Sequence, residues 1–223
     1  MSAELLINVT PSESRVALIE NGILQEIHVE RHTKRGLVGN IYRGKVSRVL
    51  PGMQAAFVDI GLEKAAFLHA SDIVIHNEIA EEVSASHIQK QDIRELVRDG
   101  QDIVVQVVKD PIGTKGARLT TDITIPSRYL VFMPSVTHVG VSQRIEEEVE
   151  RERLKSLVQE FCDENGGFIL RTAAEGVGKN ELQSDAAFLR RLWDKIQSRM
   201  KKRKSNVLYE DLPLARRVLR DFV

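Results

Sequence analysis

Apolar and polar positions alternate over residues 5–9, 15–20 and 23–30, which predicts three short strands at the start of the chain. Thr10-Pro11-Ser12 and Asn21-Gly22 divide them, and Asn-Gly between two alternating runs marks a hairpin. Three strands this short do not bury a core alone, so they need a partner from later in the chain. The polar, Gly-bearing stretch 32–39 reads as a crossing into the next module.

There the alternation resumes, with Tyr42, Val46 and Leu50 on one side and Arg43, Lys45 and Ser47 on the other. Pro51-Gly52 leads into a strand over 54–60, and Gly61-Leu62-Glu63-Lys64 into another over 65–70. Residues 76–98 are polar and carry no strand pattern until Ile88, as expected of a long loop ending in a short helix. Strands over 102–109 and 117–121 follow, with a Gly113–Gly116 turn between them. Five strands with a long insertion after the third have the rhythm of an OB-type barrel.

The period then changes. A short strand over 129–133 stops at Pro134. Ile145, Val149, Leu154, Leu157, Val158 and Phe161 predict an amphipathic helix over 144–162. A buried strand over 168–170 precedes a second long helix, 181–204, with Leu182, Ala186, Leu189, Leu192, Trp193 and Ile196 on its stripe. Residues 212–223 are again helical in pattern, and no internal repeat interrupts the sequence.

Charge changes this picture only locally. The formal net charge over 223 residues is zero, yet seven Lys/Arg face two acids between Arg31 and Lys64. Eight basic residues face Asp194 alone between Arg190 and Lys204. One anion-binding face would produce such asymmetry, and so would a solvated helix face. One cysteine, Cys162, excludes an intramolecular disulfide and a thiolate zinc site within the chain. With no signal-peptide pattern and no run of membrane-spanning length, the expected location is cytoplasmic.

Two places could carry chemistry. Strand alternation lets Ala56, Val58 and Ile60 fill a barrel while Phe57 faces out; Ala66 and Leu68 point inward while Phe67 faces out. Beside Lys45, Lys64 and Lys115, the two rings would form a stacking platform for unpaired bases, worth about 1–3 kcal/mol per base. Because apolar residues occupy both faces of these strands, both rings belonging to the core is the equal alternative. Further on, GGFILRTAAEGVG places Arg171 and Thr172 where a buried strand emerges into a Gly-rich turn. Arg171 offers a planar fork and Thr172 a hydroxyl for phosphate oxygens, against the plainer reading of a surface arginine at a strand exit. Gly176-Val177-Gly178-Lys179 is not a phosphate loop, since its leading position is Ala173 and Asn180 follows the lysine. The six histidines are scattered, Glu146, Glu147, Glu148, Glu150 and Glu152 read as a solvated helix face, and no catalytic residue is legible.

These motifs resemble the ribonuclease E/G family. The likeness is colinear over essentially the whole chain, through ELLINVTPSESRVALIENG, NIYRGKVSRVLPGMQAAFVDIGLEKAAFLH, GTKGARLTTDITIPSRYLVFMP and GFILRTAAEGVG. The resemblance implies an α+β multidomain fold. An RNase H-like subdomain from 1–36 and 208–223 would be interrupted by an inserted OB-fold RNA-binding domain over 37–121. An α/β 5′-sensor region would follow over 122–207.

The activity implied is a 5′-end-dependent, magnesium-requiring endoribonuclease acting on single-stranded RNA in rRNA and mRNA processing and decay. Carried over by motif, Phe57, Phe67 and Lys115 would contact RNA. Arg171 and Thr172 would bind the 5′-monophosphate, with Val131 lining that pocket through its backbone. A relative in the family has glycine where this chain has Ser127 and arginine where it has Gln143, so the resemblance does not carry the finer pocket contacts there. The family's magnesium aspartates and its zinc-linked Cys-x-x-Cys dimer element would lie beyond Val223, and Cys162 does not match that motif. The resemblance therefore implies a truncated chain holding the recognition half, with no catalytic residue or metal of its own and oligomers formed by the full-length protein. The rival reading is a non-catalytic OB-fold RNA-binding or ribosome-associated module.

Overall fold

The computed structural model describes residues 3–74, 92–202 and 205–222. Most of the expected 76–98 loop lies outside them. Residues 1–37 with 210–223 form one compact unit, and 38–209 form a second.

In the first unit, β1 (Ala3–Val9), β2 (Glu13–Glu20) and β3 (Ile23–Arg31) make an antiparallel sheet in that order. Asn21 and Gly22 both have positive φ, 50° and 77°, the conformation a two-residue hairpin turn demands. One face holds a small core around Val16; Leu6, Val9, Ile23, Leu24, Ile27 and Val29 remain exposed.

The second unit opens with β4 (Ile41–Leu50), β5 (Ala55–Asp59) and β6 (Ala66–His69). A one-turn helix α1 (Ile93–Leu96), then β7 (Asp102–Lys109) and β8 (Arg118–Thr120), complete the module. The strands run β4-β5-β6-β8-β7, and β7 pairs back onto β4, so the sheet closes into a five-stranded barrel with no free edge within the ring. All neighbours are antiparallel except β6 and β8. Val46, Ala56, Val58, Ala66, Leu68, Val105 and Leu119 fill the interior with at most 1% exposure.

Downstream, β9 (Ile125–Pro126), β10 (Leu130–Met133), β11 (Val139–Val141) and helix α2 (Glu148–Gln159) precede β12 (Gly167–Leu170). These strands form a sheet ordered β11-β12-β10-β9, β11 running parallel to β12. Helix α3 (Lys179–Lys202) packs Leu182, Ala186, Leu189 and Ile196 into the same core as Phe132, Phe168, Leu154 and Val158. Helix α2 is shorter than expected. A turn closed by Ile145 N–H donating to the Ser142 carbonyl precedes it, and Val149 is 75% exposed. Val149 lies five residues, about 140° of helix, from Leu154, so it misses the stripe. Glu150 faces inward instead, at 13% side-chain exposure.

The chain then forms β13 (Val207–Tyr209), paired with β4. Its residues Leu208 and Tyr209 were expected in the first unit, with 210–223. Its pairing and the burial of Leu208 with Ile41 in the core of α3 keep it in the second. Ile41 of the barrel joins that core and Val104 packs against it, and residues 38–209 form one compact unit.

Helix α4 (Leu214–Phe222) returns to the first unit, burying Leu214 and Val218 against Val16. Glu30, nearly buried, accepts the Leu214 N–H at 3.1 Å and a guanidinium N–H of Arg217 at 3.3 Å. That carboxylate caps the helix start from a neighbouring strand.

Candidate nucleic-acid interface

Phe57 and Phe67 face each other across β5 and β6, the register pairing them directly. Their ring centroids lie 6.3 Å apart at 69°, an edge-to-face pair. Both side chains are half-exposed, while their neighbours Ala56, Val58, Ala66 and Leu68 are fully buried. The rings therefore sit on the outside of a barrel that is already full. His69 continues the row, its ring 6.4 Å from Phe67. Its Nδ1 accepts the Ser71 N–H at 3.1 Å, which leaves Nε2 directed away from that bond.

The basic rim differs from the expected one. Lys115 is exposed, at the end of a turn closed by its own N–H donating to the Ile112 carbonyl at 2.9 Å. Lys64 reaches across to donate to the Gly113 carbonyl at 2.5 Å, so it braces this turn. Lys45 lies in register with Asp59 on one side and Asp102 on the other, which offsets its charge locally. Arg48, exposed and opposite Phe57, takes the place expected of Lys45. A bulge between Val46 and Arg48 shifts the alternation, which is why simple parity missed it. Arg118, opposite Phe67, is paired with Asp72 at 2.9 Å.

Gly116 fixes how Lys115 sits against this face. A Cβ there would lie 2.0 Å from the Ala65 carbonyl oxygen, so only glycine allows β8 to approach β6. The approach lets Phe67 N–H donate to the Ala117 carbonyl at 2.7 Å.

Arg171 and Thr172 stand at the end of β12, beside the turn that enters β10. Arg171 N–H donates to the Tyr129 carbonyl at 2.8 Å, and Arg171 Nη1 donates to the Ser127 carbonyl at 2.5 Å. Thr172 is exposed and begins a short 3-10 turn; its Oγ1 lies 3.5 Å from Ser142 Oγ. Arg144 N–H donates to that same Ser142 oxygen at 3.4 Å. Gln143 is exposed next to it. Val131 is half-buried in mid-sheet, opposite Ile169 and Pro126, with its backbone inside the ladder.

The loop after Thr172 is pinned to α2. Glu150 accepts the Gly176 N–H at 2.8 Å and both arms of Arg153 at 2.6 and 2.7 Å, while Arg153 also donates to the Val177 carbonyl at 3.1 Å. Arg153 and the Gly176 N–H hold the Glu150 carboxyl down at about 2.

Ser127 is 7% exposed. Its hydroxyl donates to Asp185 of α3, whose other oxygen accepts the N–H groups of Tyr129 and Leu130 at 3.0 and 3.1 Å. Asp185 was not singled out from the sequence. The available signal is an acid lying three residues after Leu182 and four before Leu189, on the apolar stripe.

Among the described residues, no group of three or more His, Cys, Asp or Glu is placed to hold a metal ion. Nor is any of their helices long and apolar enough to cross a membrane.

Residues 37–119 match the S1 RNA binding domain, and residues 124–223 match the Ribonuclease E/G family. The chain is 69% identical to ribonuclease G of Escherichia coli K12 over 223 residues, all of this chain and 46% of that protein. Identity to ribonuclease G of Haemophilus influenzae is 63%, covering 45% of it. Ribonuclease E of Escherichia coli K12 is 34% identical over 98% of this chain and 21% of its own length. The chain thus spans a little under half the length of the ribonuclease G relatives it matches.

Proposed function

The chain belongs to the ribonuclease E/G family and contains an S1 RNA-binding domain, and on that premise we propose that it is the RNA-recognition part of a 5′-end-dependent endoribonuclease. The observation that carries this reading is the Phe57–Phe67 pair, held outside a filled barrel within the same compact unit as the Arg171–Thr172 corner. Unpaired bases stack on the two rings, Lys115 and Arg48 offset backbone charge, and the contact is tolerant of sequence because every base presents a π face. Arg171, already oriented by the Ser127 carbonyl, and the Thr172 hydroxyl receive the 5′-monophosphate. Val131 serves as the wall beneath. In this reading residues 1–36 and 210–223 form part of an RNase H-like subdomain, 37–121 the RNA-binding barrel and 122–209 the 5′ sensor.

Cleavage of single-stranded RNA in rRNA and mRNA processing, in the cytoplasm, belongs to the same proposal. So does dependence on magnesium, and on zinc for assembly. The described residues offer no ligand cluster for either ion, so no chemical step is assigned here.

The test is fluorescence anisotropy of the chain with a short A/U-rich RNA bearing a 5′-monophosphate or a 5′-hydroxyl, at fixed salt. Phe57→Ala should weaken both RNAs by about 1–3 kcal/mol, roughly 5- to 150-fold. Arg171→Ala should remove only the advantage of the monophosphate. Equal binding of the two RNAs by the unaltered chain would sink the 5′-sensor reading, and unchanged affinity in Phe57→Ala would sink the platform.

A further inference from the structure

We infer that Asp185 is the positioning residue of the Arg171 site: through the turn at residues 127–130 it holds Arg171 in a phosphate-binding orientation. The inference rests on the reading of Arg171 and Thr172 given above.

The turn joins β9 and β10, whose pairing ends at Pro126 and Val131. It is closed by Ser127 N–H donating to the Leu130 carbonyl at 2.8 Å. Three further bonds come from Asp185: one from the Ser127 hydroxyl and two from the main-chain N–H groups of Tyr129 and Leu130. An ionised carboxylate accepting three hydrogen bonds is a rigid anchor, because each bond is charge-assisted and none can rotate away independently. Asp185 is itself fixed, lying on α3 next to Ala186, which is 1% exposed, and between the fully buried Leu182 and Leu189.

Two carbonyls of the anchored turn then hold Arg171 at both ends. Tyr129 receives its main-chain N–H and Ser127 receives Nη1 of its guanidinium. The order of dependence is thus α3, Asp185, turn, Arg171. Asp185 need not touch the RNA. The competing demand on this part of α3 is the shallow groove of about 540 Å³ beside it, lined by Arg128, Tyr129, Ser184 and Phe188. Arg128 lies over the Tyr129 ring, 5.1 Å from its centroid, which directs its side chain to the ring while its carbonyl faces Arg171.

The Ser127 hydroxyl adds one bond to the two that Asp185 takes from the main chain. A glycine there would leave the two main-chain bonds to Asp185 and remove the hydroxyl one. Asparagine at 185 can reproduce the pattern: Oδ1 accepts the two N–H groups and Nδ2 donates to the Ser127 hydroxyl, which turns to accept. Alanine at 185 cannot.

The experiment measures the ratio of affinities for 5′-monophosphate and 5′-hydroxyl RNA in the 223-residue chain and in D185A, D185N, S127A and R171A. The expected result is a ratio in D185A reduced at least fivefold toward that of R171A, with 5′-hydroxyl affinity within twofold of the unaltered chain. D185N should restore most of the ratio. A general loss of structure would instead lower both affinities together. Should D185A fail to fold, S127A carries the test, with an expected two- to fivefold fall in the ratio. A ratio of one in the unaltered chain overturns the phosphate-site reading itself. A ratio lost in R171A but kept in full by D185A, or by S127A if D185A does not fold, overturns the positioning role alone.

Discussion

Gly116→Ala tests whether the barrel face depends on the close approach of β8 to β6. The added Cβ would lie 2.0 Å from the Ala65 carbonyl oxygen, 2.9 Å from its carbon and 3.3 Å from Ala66 Cα. Every one of these is main chain, so no side-chain rotation relieves the overlap. Carbon to carbonyl oxygen contacts settle near 3.3 Å, so the strands must part by roughly 1.3 Å. That separation breaks the bond from Phe67 N–H to the Ala117 carbonyl, now 2.7 Å, at about 1–3 kcal/mol for a buried main-chain pair. Displacing Leu119 and Ala117, both fully buried, adds about 1–3 kcal/mol of overpacking strain. The lower entropy of the unfolded alanine chain returns about 0.4–1 kcal/mol. The net expectation is a destabilisation of about 3 kcal/mol. Gly52→Ala is the control, since nothing lies within 4 Å of a Cβ there. The readout is native-state hydrogen exchange at the Phe67 amide, which reports this barrel bond even if the two units unfold separately. RNA affinity should fall in parallel, because Phe67 and Lys115 move with the strands. A Gly116→Ala protein within about 0.5 kcal/mol of Gly52→Ala would refute the steric argument.

Two further outcomes follow from the ion pairs. Glu150 has a folded pKa of about 2 against an ordinary 4.5, so it stabilises fully above about pH 4.5 and progressively less as pH falls toward 2. The unscreened maximum of about 3.4 kcal/mol shrinks to about 1–2 kcal/mol because the partner Arg153 side chain is 40% exposed and solvent screens the pair. Denaturation of the unaltered chain and of Glu150→Gln should differ by that much at pH 7 and converge in acid; a gap that widens in acid would contradict the sign. In the first unit, Glu30→Ala strands the Leu214 N–H and removes the Arg217 pairing, at about 2 kcal/mol. Hydrogen exchange should quicken along α4 and stay unchanged along α3; uniform acceleration would show that Glu30 does not act on α4 in particular.

The sequence made legible those features that repeat. Alternation in β4, β5 and β6 marked which residues fill the barrel, and the 3.6 period placed Leu182, Ala186, Leu189 and Ile196 on the buried face of α3. Three strands left no such trace. β9, β11 and β13 are two or three residues long, too short for any period to emerge. The same brevity set the expected boundary at 207/208, inside β13, whereas pairing with β4 carries the second unit through Tyr209. At the candidate sites, residue type and turn context left Phe57, Phe67, Arg171 and Thr172 with equal or plainer alternatives, and the family resemblance singled them out. Arg48 was hidden by a bulge. Asp185 was hidden because its partners are main-chain groups, which look alike in every sequence.

Helix α3 has a consequence for how long an RNA must be. Asp185 stands in its first third, and near its far end Met200 offers a carbonyl to Arg43 of the barrel strand β4. The fifteen steps from Asp185 to Met200 make about 22 Å of stiff rod. On the proposed function, the 5′ end at Arg171 and the bases at the Phe57–Phe67 face would be met by two stations held within one compact unit. An oligonucleotide too short to bridge them gains nothing from the second contact. One just long enough gains it as an intramolecular event, at the high effective concentration that a rigid spacing confers. Affinity should climb with RNA length in a step, and the length at the step reports the span that α3 sets.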